Sequence, residues 1–216
     1  LQVHGTITKT AVATGADLVA YSVFSAGNYL EQPYNSDLDF GTGDFCIMSW
    51  IKGGSSGADQ YVCDRSVDGT DRVALTARND GNAQFYMNTS NNAASVIASD
   101  LGNVRTNTWR HLCAVRRNGQ SYIYVDGKES TNTAGGTQNI SITAPLIVGQ
   151  RYNHTSGIDN MALFRISATA PTAEQIAKIY EDEKPLFQEN AKATLYGTSD
   201  AVTALAHDDS TNLLHV

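Results

Sequence analysis

His111, Tyr122 and Tyr124 are residues whose types could do binding chemistry and whose spacing puts them side by side. In TWRHLCAVRRNGQSYIYVDGKES (108–130), Asn118-Gly119 and Asp126-Gly127 are the dipeptides that type I′ hairpin turns demand, because both central residues need φ > 0. With Asn118-Gly119 as the loop, Arg117 faces Gln120 and Arg116 faces Ser121. The two-residue period then sorts the side chains. Leu112, Ala114, Ile123 and Val125 share one apolar face, and His111, Cys113, Val115, Tyr122 and Tyr124 share the other. A tyrosine offers an apolar ring to the C–H face of a sugar and a hydroxyl to hydrogen-bond with it. Tyr86, in AQFYMNT, joins these three as a ligand candidate. The competing reading is that the tyrosines only cover the outer face of a sheet, and that His111 is structural rather than catalytic.

Other chemistries leave no mark. There is no G-x-S-x-G elbow, phosphate loop or zinc-ligand spacing. Cys46, Cys63 and Cys113 stand at strand-like positions without a C-x-x-C, and are expected as buried free thiols acting as small apolar residues. Asp64, Asp68 and Asp71, in CDRSVDGTD, fit no calcium loop and are expected as a solvated turn.

The elements that must position these residues are strands. DFCIMSWIK, QYVCDRS, RVALTAR, AQFYMNT, the 110–125 hairpin, APLIVGQ and IDNMALFRI are separated by Gly, Asn, Asp and Ser turns, with no helices between them. That pattern predicts an all-β antiparallel sandwich or barrel. One helix is predicted near 172–182. Thr172 and Gln175 form a capping box, Ile176, Ile179 and Tyr180 form a stripe to dock on the sandwich, and Pro185 stops it.

The formal net charge of −7, with a pI near 5.1, argues against nucleic-acid partners and against attraction to anionic lipid. No apolar run approaches the roughly 20 residues of a membrane span. The N-terminus has neither a starting Met nor a signal-peptide core, so the chain is expected to be a piece of something longer. Residues 1–20 are expected as a connector or lead-in strand, 21–187 as the sandwich, and 188–216 as an extension. Its apolar end, with Leu213, Leu214 and Val216, is expected to pair with another subunit or a following domain.

FGTGDFCIMSWIK, NTWRHLCAVRRNGQSYIYVDGKE, PLIVGQ and GIDNMALFRISATAPTAEQIAKIYE, taken in order, resemble the laminin-G/pentraxin branch of the concanavalin A-like lectin/glucanase superfamily over about residues 21–187. The resemblance implies a jelly roll of two antiparallel sheets; Trp50 and Trp109 are of a type that stacks on sugars, but in strands of this family these positions more often pack in or beside the core. It also implies a structural calcium held at the sandwich rim by Asp159, although Asn160 stands where relatives often carry a second acid. Glucanases of the superfamily carry an E-x-D-x-x-E strand motif, which is lacking here. Flanking residues 193–216 are similar to modules in tailed-bacteriophage virion proteins. The resulting expectation is a non-enzymatic, lectin-like module of a phage virion protein, such as a tail fibre, that attaches to host-surface carbohydrate and assembles as a homo-oligomer. The alternatives are a structural module joining virion subunits and a glycoside hydrolase.

Overall fold

The computed structural model describes residues 1–54, 57–89, 92–192, 206–208 and 213–215. Among them, the strand patterns form two facing antiparallel sheets. The first holds seven strands in the spatial order Gln2–His4, Tyr29–Gln32, Leu146–Val148, Gln60–Ser66, Arg72–Ala77, Ala83–Thr89 and Asn92–Ile97. The second runs Lys128–Glu129, Gln120–Val125, Arg110–Arg117, Phe45–Lys52, Asn160–Ser167, Val19–Ser22 and Thr8–Ala11, and Ala134–Gly135 also pairs with Gln120–Val125. Sequence-distant strands are neighbours in both sheets, Leu146–Val148 lying between Tyr29–Gln32 and Gln60–Ser66 and Asn160–Ser167 between Phe45–Lys52 and Val19–Ser22, as in the expected jelly roll.

The hairpin has the register that its turns require, with Arg117 opposite Gln120 and Leu112 opposite Val125. Asn118 and Asp126 take φ of 52° and 50°, with Gly119 and Gly127 positive after them. Its apolar face, Leu112, Ala114, Ile123 and Val125, enters the core between the sheets and meets Leu75, Phe85 and Met87 of the first sheet. Phe45 and Phe85 pack edge to face across that core, 5.8 Å apart.

Loops are fastened to this sandwich by buried arginines. Arg116, fully buried, donates to the carbonyls of Gly41, Gly43 and Gln138 and lies over Phe45. Burial pulls its guanidinium down to about 10, with Asp44 opposing. Arg65 likewise reaches the Leu38, Ile142 and Ala144 carbonyls and the Asp39 carboxylate. These are buried charges with every lobe of the fork satisfied.

The helix Ala173–Glu183 begins with the expected capping box. The Thr172 side chain accepts from Gln175 N, and the Gln175 side chain accepts from Thr172 N. A short 3-10 turn, Lys184–Phe187, follows it. Residues 1–20 are part of the sandwich: they supply the edge strands Gln2–His4 and Thr8–Ala11 and begin Val19–Ser22. Residues 190–192 tie back to them, through Asn190 N on Thr14 O, Asp17 N on Ala191 O and the Lys192–Asp17 ion pair. The strands Ala206–Asp208 and Leu213–His215 pair with one another. The expected packing of 188–216 against a partner falls mostly on residues outside those described. No helix among the described residues is long and apolar enough to cross a membrane.

Candidate functional site

The sandwich has two outer faces, and the helix decides between them. It lies across the outside of the second sheet, where Ile176 is fully buried against Cys46, Met48, Cys113, Val115 and Tyr124. This is the face on which three ligand candidates were expected, and the structure corrects that expectation for two of them. Tyr124 and His111 have no exposed surface. His111 sits between Trp50 and Tyr180, with neither ring nitrogen hydrogen-bonded, and burial holds its pKa down to about 4, with Arg165 adding to the effect. The Tyr124 hydroxyl donates to Glu129, and burial, then that carboxylate, raises its pKa. Trp50 is buried under Phe187 and donates to Glu183 at 2.7 Å; Trp109 donates to the Val12 carbonyl. The docking stripe and the aromatic face, predicted separately, are two sides of one interface. Tyr122 alone remains half-exposed there, with Arg117 over its ring at 4.8 Å. The three cysteines are buried free thiols, as expected.

At the rim, Asp159 is exposed and accepts from Gly54 N at 2.6 Å. The loop carbonyls beside it already face a cation: Arg105, 1 % exposed, donates to Gly54 O and Ala58 O and to Arg78 O. No group of three or more His, Cys, Asp or Glu side chains assembles among the described residues. One carboxylate beside carbonyls committed to a guanidinium does not make the six to eight oxygen ligands that calcium takes. The residues at Asp159 do not fit the expected ion.

The outer face of the first sheet is different. Arg72, Ala74 and Thr76 point outward from Arg72–Ala77, and Tyr86 and Asn88 stand opposite Ala74 and Arg72 on the next strand. On the other side, Asp64 and Tyr61 stand opposite Ala74 and Thr76. Three residues apart, Tyr61 and Asp64 would point to opposite sides of a regular strand. A bulge between Tyr61 and Cys63 puts both on this face, sending Val62 and Cys63 together into the core. Strict alternation hid this pair from the sequence reading. It also hid Asp64, which is no solvated turn residue. Asp64 is fully buried and takes a two-pronged ion pair from Arg72, at 2.9 and 2.6 Å, and a third bond from Tyr152 N at 3.0 Å. Burial raises its pKa, against the pull of Arg72 and Tyr152 N, while Asp64 outweighs burial to keep Arg72 protonated. Asp68 is the turn residue expected, accepting from Thr70 N.

The segment 149–157 folds over one end of this face. Buried Gln150 holds it closed by accepting from Arg151 N and Ser156 N. Tyr152 and Arg151 are thereby brought onto the sheet. The Arg72 guanidinium lies over the rings of Tyr61, Tyr152 and Tyr86, at 5.0, 5.5 and 5.9 Å. Arg151 lies over Tyr61 and Tyr152, at 5.7 and 5.6 Å. Next to them His154 stacks on Tyr29, and Tyr29 on His4, which meets Glu31 at 3.2 Å. Asn88 Oδ1, Arg151 Nε and His154 Nδ1 are shut off from solvent and hydrogen-bond to nothing among the described residues. Tyr86, the remaining ligand candidate, is half-exposed at one side of this arrangement, on the strand next to Arg72. Aromatic faces, fixed forks and unpartnered polar atoms together are what a small polar ligand with an apolar face requires.

A laminin G family model described as "Concanavalin A-like lectin/glucanases superfamily" matches residues 24–177. No curated protein sequence matches the chain significantly. Solved structures similar to it include the binding domain of Paraclostridial Mosquitocidal Protein 1, at 16% identity and a TM-score of 0.67 over 84% of this chain and 47% of that one. The receptor binding domain of botulinum neurotoxin C/D mosaic serotype gives 16% identity and 0.63, over 84% and 46%. Domain 4 of AbnA, a GH43 extracellular arabinanase from Geobacillus stearothermophilus solved in complex with arabinotriose, gives 17% and 0.63 over 82% of both chains. The chain thus spans just under half the length of the toxin domains, and at these identities the likeness is one of fold.

Proposed function

The chain belongs to the concanavalin A-like lectin/glucanases superfamily, and we propose that it is a non-enzymatic module binding glycan on the open face of the first sheet. The observation that carries this reading is the convergence of Tyr61, Tyr86, Tyr152, Arg72 and Arg151 on the face that the helix leaves bare. Relatives of the fold support it: one was solved with a bound arabinotriose, and others are receptor-binding domains of toxins. The non-enzymatic part is supported by the state of Asp64. A carboxylate with no exposed surface, held by Arg72 and Tyr152 N, has no access to a substrate bond.

Within that reading, the module attaches a tailed-phage virion protein to host-surface carbohydrate. The support is the resemblance of residues 193–216 to phage virion modules and an acidic charge unsuited to nucleic acid. Assembly between virion subunits is a second reading, favoured by the strand Thr8–Ala11, which is exposed along its length and, among the described residues, is an edge of the second sheet with no further strand beside it. Glycan-array binding of the whole chain, with the bound polysaccharide assayed for turnover, tests these readings. Attachment gives binding without turnover. A stable oligomer that binds no glycan overturns it in favour of assembly, and turnover overturns it in favour of a hydrolase.

A further inference from the structure

Among the ion pairs of the described residues, Arg72 has Asp64, Arg65 has Asp39, Arg110 has Asp126 and Arg165 has Glu183, but Arg151 has no carboxylate. Its guanidinium is half-buried between the Tyr61 and Tyr152 rings; its Nε is sealed from water, and its two terminal nitrogens, the ones a ligand can reach, donate to no protein group among the described residues. Asp64 is close enough to feel the charge of Arg151, but its hydrogen bonds go to Arg72 and Tyr152 N. A cation held partly out of water with an unfilled donor is costly unless an anion completes it, and a planar fork matches a carboxylate with two parallel hydrogen bonds. The chain carries a net charge of −7, so an anion is not drawn to it by the overall field, and attraction must come from this local fork.

We infer that the open face selects an acidic sugar, a pyranose whose carboxylate is received by Arg151. The sugar ring then lies against Tyr86, which has Arg72 at one side of its ring and is otherwise half-exposed. A donor fork beside an aromatic face describes a uronic or a sialic acid equally well. The inference rests on the glycan-binding reading of this face and adds the charge of the ligand.

The test is titration calorimetry of the full chain with two matched pairs: an oligogalacturonate against its carboxyl-reduced counterpart, and sialyllactose against lactose. One acidic member is expected to bind at least tenfold more tightly than its neutral partner, and the pair that shows the difference identifies the source of the carboxylate. Arg151→Gln is expected to abolish the difference and Arg151→Lys, which keeps the charge but not the fork, to restore only part of it. Circular dichroism and melting temperature confirm that each variant is folded. Equal affinity for acidic and neutral members, or an acid preference that survives in folded Arg151→Gln, overturns the inference while leaving glycan binding intact. If neither pair binds but neutral glycans do on an array, the acid preference alone fails; if no glycan binds at all, the glycan-binding reading fails with it.

Discussion

The two outer faces of this sandwich are built from the same kinds of residue and end in opposite conditions. Outside the second sheet, Trp50, His111, Tyr124 and Cys113 are sealed beneath the helix and Phe187. Outside the first, no helix among the described residues lies over the sheet: Tyr61 and Arg72 are buried by the side chains around them, and Tyr86 and Tyr152 stay half-exposed. A strand that alternates apolar with aromatic and polar residues therefore does not say whether its second face is a surface or a second core. What decides is where the amphipathic element lands, and the difference shows in the histidines and carboxylates. His111 has no partner at either nitrogen and stays neutral, whereas Asp64 has three bonds and stays paired.

The largest expected effect lies on the open face. Asp64→Ala leaves Arg72 buried without its counter-charge, which costs about 3–5 kcal/mol in urea denaturation. Replacing both by apolar residues of similar size is expected to cost less than the single change, and the opposite order would mean that the pair is a net stabiliser. On the covered face, Ile176→Ala is expected to cost about 2–4 kcal/mol by opening a cavity under the helix, with glycan binding retained once the variant is folded.

The covered face also carries a pH dependence. His111 has a folded-state value of about 4, below its unfolded value near 6.5. The unfolded chain therefore binds the extra proton between these values, so stability is full above about pH 6.5 and falls as the pH drops towards 4. The loss is on the order of 3 kcal/mol. His111→Phe should flatten that part of the profile; an unchanged slope would place the titration elsewhere. Thr172→Ala, which removes the cap, is expected to cost about 1 kcal/mol. The smallest effect belongs to the rim. Because Arg105 already takes the Gly54 and Ala58 carbonyls, a chelator is expected to leave the melting temperature unchanged, and a fall abolished by Asp159→Ala would restore the calcium site.

Local chemistry was legible in the sequence wherever a few adjacent residues dictate the backbone. Asn118-Gly119 and Asp126-Gly127 specify their turns and the hairpin register, and Thr172 with Gln175 specifies the start of the helix. Tyr86 alternates with core residues Phe85 and Met87, which places it on the outer face of its sheet. What could not be seen depends on residues far apart in the chain. The face on which Ile176 docks is a tertiary choice, and it converted His111 and Tyr124 from ligand candidates to core. The bulge at Tyr61 to Cys63 has no composition signal, yet it alone sets Tyr61 and Asp64 together. Arg151 and Tyr152 belong to a loop whose closure depends on Gln150, a residue type that carries no motif.

The central claim is that the open face binds and the covered face only holds the fold together. Two tyrosine variants, each on one face and each half-exposed, test it most directly: Tyr86→Ala and Tyr122→Ala, titrated with the best glycan ligand found on the array. The account predicts that Tyr86→Ala weakens binding at least tenfold with little change in stability, while Tyr122→Ala leaves affinity as it was. Loss of binding in Tyr122→Ala with full affinity in Tyr86→Ala would contradict it and move the site to the helix side of the molecule.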